Sequence, residues 1–406
     1  MRKLIVQKYG GSSIADIKKI KNVAKRVVSY KKKGYKLVVV VSALGDTTDE
    51  LLRLAHKVTK SPSERELDML ISTGEQVSVA LLAMAIHKLG YEAISFTGAQ
   101  VGIITDASHT RARILNINTK RIEDGLNKGK IVIVAGFQGV TTDRDITTLG
   151  RGGSDLTSVA LSKALGAETC EMYTDVEGVY TADPKIVPGA RKLSKISYEE
   201  MLELASLGAQ VLQPRSVEMA KKFNIPIHVR SSFLNKEGTI ISKEVKAMEE
   251  IIVSGVTVNK DEAKITICDV PDRPGIAARI FKRIADKNIV IDMIVQNISR
   301  TGATDISFTV LGRDLNRTLA IVREASKKVK AEGVTYNKEI AKVSVIGLGM
   351  RSHSGIAARM FNALARNKIN IEMISTSEIK ISCVIKKRFA NKAVRAIHKE
   401  FGLGKK

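Results

Sequence analysis

Gly275-Ile-Ala-Ala-Arg-Ile-Phe281 returns 80 residues later as Gly355-Ile-Ala-Ala-Arg-Met-Phe361. The same offset carries Ile289 onto Ile369, Ile291 onto Ile371, Met293 onto Met373 and Ile294 onto Ile374. One fixed offset means two copies of one supersecondary unit. Each copy reads strand, glycine turn, helix, strand, strand, helix, strand, the βαββαβ order of a ferredoxin-like fold. The copies are expected at residues 264–338 and 344–406, behind a charged, linker-like stretch at 243–250.

Residues 1–245 follow another pattern. Apolar strand signals at 4–6, 37–41, 93–96, 131–135, 171–173 and 227–229 alternate with helical signals at 17–30, 67–89, 155–165, 198–207 and 214–223. Strands separated by helices argue for an α/β three-layer sandwich around a mostly parallel sheet. Ligands of such sheets sit beyond the carboxyl ends of the strands. With 44% hydrophobic residues, the 406-residue chain can build real cores. No run approaches the ~20 apolar residues of a membrane helix. The N-terminus enters strand pattern at once, without the apolar region of a signal peptide. Cys170, Cys268 and Cys383 form no CxxC pair. A cytoplasmic, multi-domain protein is expected.

The formal charge is +24, and residues 251–406 alone carry 29 basic and 14 acidic side chains. An excess of this size raises nucleic-acid binding as a function class. Aromatics at 4%, with no Trp, offer few platforms for base stacking. Lys31-Lys32-Lys33 reads as a solvated helix end, and a solvated basic surface is the simpler account of the excess. His56, His87 and His109 have no metal-ligand spacing and read as structural or surface residues.

Three glycine-containing turns in the first region could carry chemistry. Lys8-Tyr9-Gly10-Gly11-Ser12-Ser13 follows the first strand and precedes a helix. Gly150-Arg151-Gly152-Gly153-Ser154-Asp155 opens a second helix, and Thr174-Asp175-Val-Glu-Gly178-Val-Tyr180-Thr-Ala-Asp183-Pro184-Lys185 forms the third. Tight strand-to-helix turns need glycine for purely structural reasons. Glycine also lets backbone approach a ligand closely, and a helix N-terminus attracts anions. A basic residue in each of the first two turns points to phosphate. Neither GxxxxGK[ST] nor GxGxxG occurs, which argues against ordinary P-loop ATPases and dinucleotide-binding dehydrogenases.

These turns, together with Gly136-Phe-Gln-Gly139 and Thr147-Thr-Leu preceding Gly150, resemble the aspartate kinase family. The repeated tail, with Ile374-Ser-Thr-Ser-Glu-Ile379, is similar to the tandem ACT domains of that family, so the resemblance spans essentially the whole chain. It implies an amino-acid-kinase-like catalytic domain at 1–245. The implied reaction moves the γ-phosphoryl group of ATP to the β-carboxylate of L-aspartate, the first step toward lysine, threonine and methionine. Such a nucleophile, with an ordinary pKa of about 3.9, needs no general base at pH 7. Lysine, turn amides and a Mg²⁺ held mainly by the ATP phosphates suffice.

The resemblance also implies roles. Lys8 holds the transferring phosphoryl oxygens, Asp155 orients Lys8 or the substrate amine, and Tyr9, Gly10, Gly11 and Ser42 lie near the phosphates. Arg151 clamps the substrate α-carboxylate, Glu75 takes its amino group, and Thr48, Gly152, Gly153 and Ser154 donate hydrogen bonds, with Phe137 as a wall. Thr174, Asp175, Tyr180, Asp183, Lys185, Gln210 and Val211 frame the nucleotide. Gln210 stands where many relatives carry a lysine, which removes one charge from that side. Effector pockets for lysine, threonine or both are implied at Asp272, Gly275, Ile291, Asp292 and Gln296 in the first repeat. Their counterparts in the second are Ser352, Asn370, Ile371, Ser375 and Thr376. A homo-oligomer through the ACT domains follows from the same resemblance. A regulatory chain that binds amino acids without catalysis is the competing reading, and the joint presence of Lys8, Glu75, Arg151 and Asp155 argues against it.

Overall fold

The computed structural model describes residues 3–207, 211–243, 252–298, 303–351 and 353–404. The chain forms two compact units, one of residues 1–179 and 192–246, the other of 180–191 and 247–406. The strand–helix alternation predicts an unbroken first domain, whereas residues 180–191 belong to the second unit.

The first unit begins β1 (Leu4–Tyr9), α1 (Ile17–Lys32), β2 (Lys36–Val41), α2 (Thr47–Val58), α3 (Glu64–Ile71) and α4 (Thr73–His87). It continues with β3 (Ala93–Phe96), β4 (Ile103–Thr105), β5 (Ile114–Ile117), α5 (Lys120–Asn127), β6 (Ile131–Ala135), β7 (Gln138–Val140) and β8 (Ile146–Thr148). It closes with α6 (Gly153–Leu165), β9 (Thr169–Thr174), β10 (Lys195–Ser197), α7 (Tyr198–Ser206), α8 (Pro214–Phe223), β11 (Ile227–Ser231) and β12 (Thr239–Ser242). Eight strands form one sheet in the order β10-β12-β11-β9-β1-β2-β6-β3, parallel except where β11 meets β12. A smaller sheet runs β5-β4-β7-β8.

Strand alternation divides the large sheet's two faces. Ile5, Tyr9, Leu37, Val39, Ile131 and Ile133 pack with α1 and α4. Val6, Val38, Val40, Val132 and Val134 pack with α5 and α6. Period 2 therefore puts Lys8 on the α6 side and Tyr9 on the α1 side. Residues 64–87 are long and apolar enough to cross a membrane by length and composition, which the sequence reading did not expect. Half of its most apolar 18-residue window is buried, and Val79, Leu82 and Ile86 of α4 lie in the core of the unit. A helix apolar on several faces is what a core position requires.

The second unit comprises β13 (Gly255–Pro271), α9 (Ile276–Ala285), β14 (Ile291–Ile298), β15 (Ala303–Leu311), α10 (Leu315–Val329) and β16 (Gly333–Ile346). α11 (Ile356–Arg366), β17 (Met373–Thr376), β18 (Lys380–Lys386) and α12 (Ala390–Glu400) follow. Its sheet runs β14-β15-β13-β16-β18-β17. Gly275 and Gly355 cap α9 and α11 at φ +87° and +86°, the left-handed region that glycine enters without strain. The second repeat does not close its own sheet. Among the described residues after α12, strand pairing is limited to an isolated bridge, Gly404 to Ala190. Its fourth strand is Gly255–Asn259, from before the first repeat, paired with residues 342–346 of β16. The first repeat is thus inserted within the second. One extra residue on each of β13 and β16, around Glu262 and Ile340, marks the crossing from one repeat to the other.

Candidate active site

The carboxyl ends of β1, β2 and β9 open onto a cavity of about 740 Å³. Lys8, near the end of β1, reaches Asp155 in the first turn of α6, with Nζ to Oδ1 at 2.7 Å and both side chains largely buried. A Cβ on Gly10 would stand 3.2 Å from the Lys8 ammonium, so glycine leaves room for that cation. A Cβ on Gly11 would lie 2.9 Å from the carbonyl oxygens of Ala43 and Gly45, which brings two turns against one another. Gly152 caps α6 at φ +74°. The N-terminus of the 13-residue helix α6 therefore opens on the cavity, its Gly153 and Asp155 N–H groups bonded within the turn to Gly150 O at 2.9 Å and Gly152 O at 3.1 Å.

Gly10, Gly11, Ser42, Thr48, Glu75 and Phe137 all line the cavity, as do residues 151–155. Ser42 Oγ donates to Ser154 Oγ at 3.0 Å. The Arg151 side chain is 82% exposed on the rim, 3.9 Å from the Asp49 carboxylate. Glu75, in the first turn of α4, is 2% exposed. Its Oε1 accepts the Ala43 N–H at 3.0 Å, and Oε2 has no partner. Burial pushes its carboxyl up to about 8, against the pull of the Ala43 and Glu75 amides.

Thr174, Asp175 and Val211 line the cavity from the far side. Tyr9 does not, because its side chain lies on the opposite face of the sheet, stacked on Tyr173 at 4.7 Å between centroids. Beneath that stack, Gln7, Tyr30 and Arg230 all bond to the Glu171 carboxylate and tie β1, α1, β9 and β11 together. Tyr180, Asp183 and Lys185 are not among the lining residues; they belong to the second unit. Gln210 lies outside the described residues. The sequence reading missed Asp49, Thr110, Thr148 and Gln213, which also line the cavity. Thr110 adopts φ +63°, rare for a β-branched residue and invisible in the sequence.

In the second unit, Asp272 and Gly275 sit at the β13–α9 turn, and Ile291, Asp292 and Gln296 lie on β14. Asn370 and Ile371 precede β17, which carries Ser375 and Thr376; Ser352 is outside the described residues. Asp292 is engaged by the Lys342 ammonium, which also pairs with Glu262 at 2.6 Å.

Among the described residues no group of three or more His, Cys, Asp or Glu could hold a metal ion. The cavity's Asp155 is already committed to Lys8. A divalent cation carried on phosphate oxygens would meet the carboxylates of Asp49 and Asp175 in the same lining.

Residues 3–231 match the amino acid kinase family, and residues 264–328 and 343–401 each match the ACT domain. The fold and cavity thus define an amino acid kinase joined to a pair of ACT domains. Over 406 residues the chain is 52% identical to aspartokinase of Mycolicibacterium smegmatis, covering 99% of this chain and 96% of that protein. It is 46% identical to the aspartate kinase structure from Synechocystis, with a TM-score of 0.55, covering 98% of this chain and 69% of that one. The fold is also that of E. coli aspartokinase III, at 24% identity and a TM-score of 0.84, over 98% of this chain and 99% of that one. The chain belongs to the aspartokinase family.

Proposed function

We infer that the chain transfers the γ-phosphoryl group of ATP to the β-carboxylate of L-aspartate, giving 4-phospho-L-aspartate and ADP. The observation that carries this reading is the Lys8–Asp155 pair set between two glycine turns at one cavity. In the reaction a substrate carboxylate oxygen bonds to the γ-phosphorus as the bond to the ADP oxygen breaks, and the electron pair leaves with ADP. The protein's work is to hold two anions in line and to offset charge as it shifts. Lys8 and the positive N-terminal end of the α6 dipole face the transferring oxygens, and Asp155 keeps the Lys8 ammonium aimed. Arg151 on the rim takes the substrate α-carboxylate as a planar fork. Glu75 takes the ammonium, which gives its unpartnered Oε2 a partner. Thr174 and Asp175 are the nucleotide side. Mg²⁺, bound through ATP, supplies further charge neutralisation.

The ACT pair supports control by lysine, threonine or both, as expected of an early step toward those amino acids. The edge strands β14 and β17 support assembly into a homo-oligomer through these domains. A biosynthetic phosphotransfer from ATP suits the cytoplasm. The test is ATP-dependent aspartyl hydroxamate formation, with and without lysine and threonine. Lys8→Met is expected to lower kcat by about 10²–10³, the range seen when one charge-stabilising donor is lost. Full activity in a folded Lys8→Met protein contradicts the assignment.

A further inference from the structure

Beside the cavity lies a buried carboxylate that the reaction does not use. Asp68, on α3, is completely buried. Three donors converge on it. His109 Nδ1 lies 2.8 Å from Oδ2, Thr148 Oγ1 donates to Oδ1 at 2.5 Å, and the Thr110 N–H reaches both oxygens at 3.1 and 3.0 Å. A carboxylate only accepts, so His109 carries its proton on Nδ1. Apolar packing of α3 against β8 needs no such cluster. A buried polar cluster with every donor satisfied fixes one backbone geometry instead.

The geometry it fixes is that of the Arg151 turn. Thr148 ends β8, three residues before Arg151. Thr110, held by Asp68 in the left-handed region at φ +63°, presents its carbonyl 3.1 Å from where a Gly150 Cβ would stand. The Ala112 N–H bonds to the Thr148 carbonyl at 2.9 Å. Arg215 clamps the same two segments, donating to Leu149 O at 2.7 Å and Ala112 O at 3.1 Å. Thr110, Thr148, Gly150 and Arg151 all face the cavity.

We propose that Asp68, acting through Thr110, Thr148 and His109, is a positioning residue that sets the Gly150–Arg151 turn for the α-carboxylate of the acceptor amino acid. This rests on the reading of Arg151 as the acceptor clamp. Its effect falls on the acceptor and leaves the nucleotide side alone.

The test is steady-state kinetics on Asp68→Asn, Arg151→Ala and the double variant, with circular dichroism and thermal melts to establish folding. Asp68→Asn is expected to raise KM for aspartate about tenfold or more, because small displacements of positioning groups are costly, with KM for ATP within about twofold. The double variant is expected to match Arg151→Ala within about twofold, since a positioning residue has nothing left to position. An unchanged KM for aspartate in folded Asp68→Asn overturns the proposal. So do effects that multiply in the double variant, the signature of a merely structural role. An unchanged KM for aspartate in Arg151→Ala overturns the clamp reading itself, and is distinguishable because it appears in that single variant. Should Asp68→Asn fail to fold, His109→Ala removes one donor from the same cluster. It is expected to raise KM for aspartate about threefold with no change for ATP, a smaller loss in keeping with one hydrogen bond; an unchanged value overturns the proposal.

Discussion

At Glu75, one carboxylate oxygen takes the Ala43 N–H and the other has no partner. Burial pushes the group up to about 8, well above the ordinary carboxylate range. Between those two values the ligand-free folded protein holds a proton that the unfolded chain has lost. Stability from this group is complete below the ordinary range and falls as pH rises toward 8, at about 1.4 kcal/mol per pH unit. Glu75→Gln is therefore expected to flatten the decline in urea-unfolding free energy between pH 6 and pH 8. With the substrate ammonium docked on Glu75 as proposed, its arrival displaces the same proton. KM for aspartate is expected to fall as pH rises from 6 to 8, and titration calorimetry in two buffers to show proton release on binding. A KM that is flat over that range removes Glu75 from the ammonium site. The sequence showed Glu75 as a first-turn acid of an apolar helix. It could not show that Gly74 lets α4 approach so near that a Cβ there would sit 2.8 Å from Ala43, which is what buries the carboxyl.

Elements were legible where their signals are local. Residues 131–135 and 93–96 are strands over the lengths the sequence suggested, and α8 runs over Pro214–Phe223 as read, with proline in its first turn. Strand β1 extends to Tyr9, past its apolar run, because Lys8 faces Asp155 while Gln7 and Tyr9 face a buried network. The repeat was legible, but the strand closing its second copy was not, since Gly255–Asn259 lies more than 80 residues from its partner in β16. At that crossing the Lys342 ammonium is held by Glu262 and Asp292 and is almost wholly buried. Burial raises the Glu262 carboxyl, and Lys342 opposes that rise. Lys342→Met leaves two acids without their cation and is expected to cost about 3–5 kcal/mol in urea unfolding. Glu262→Gln combined with Lys342→Met is expected to recover much of that loss. Equal losses in the single and double variants exclude the ion pair as the cause.

On the scale of the whole molecule, the chain leaves β9 at Thr174 and Asp175, which line the cavity, and five residues later enters the second unit. Ala182 and Ala190 there lie in one core with Val253, Met360, Ile397 and Leu403. Thr181 Oγ1 donates to Leu403 O at 3.0 Å and accepts the Arg191 N–H at 3.0 Å, so the His398 Nε2 contact at 3.0 Å is a donation from histidine. Local signals could not reveal this excursion, because a loop between two strands carries no mark of the unit it packs in. The consequence is covalent: Thr174 and Asp175, which we propose for the nucleotide, are joined by a short segment to residues in the core of the second repeat. Thr181→Val keeps the shape and strands the buried His398 N–H and Leu403 carbonyl together with the half-buried Arg191 N–H, at about 1–3 kcal/mol for each buried group left unsatisfied. Loosening residues 180–191 is then expected to raise KM for ATP severalfold and leave KM for aspartate unchanged, because the segment ends at Thr174 and Asp175, the residues proposed for the nucleotide. Steady-state kinetics without effectors, beside a melting curve, decide it. A lower melting temperature with both KM values unchanged makes the segment a structural filler of the second unit. A selective rise in KM for ATP makes it the route by which packing in the repeat reaches the nucleotide.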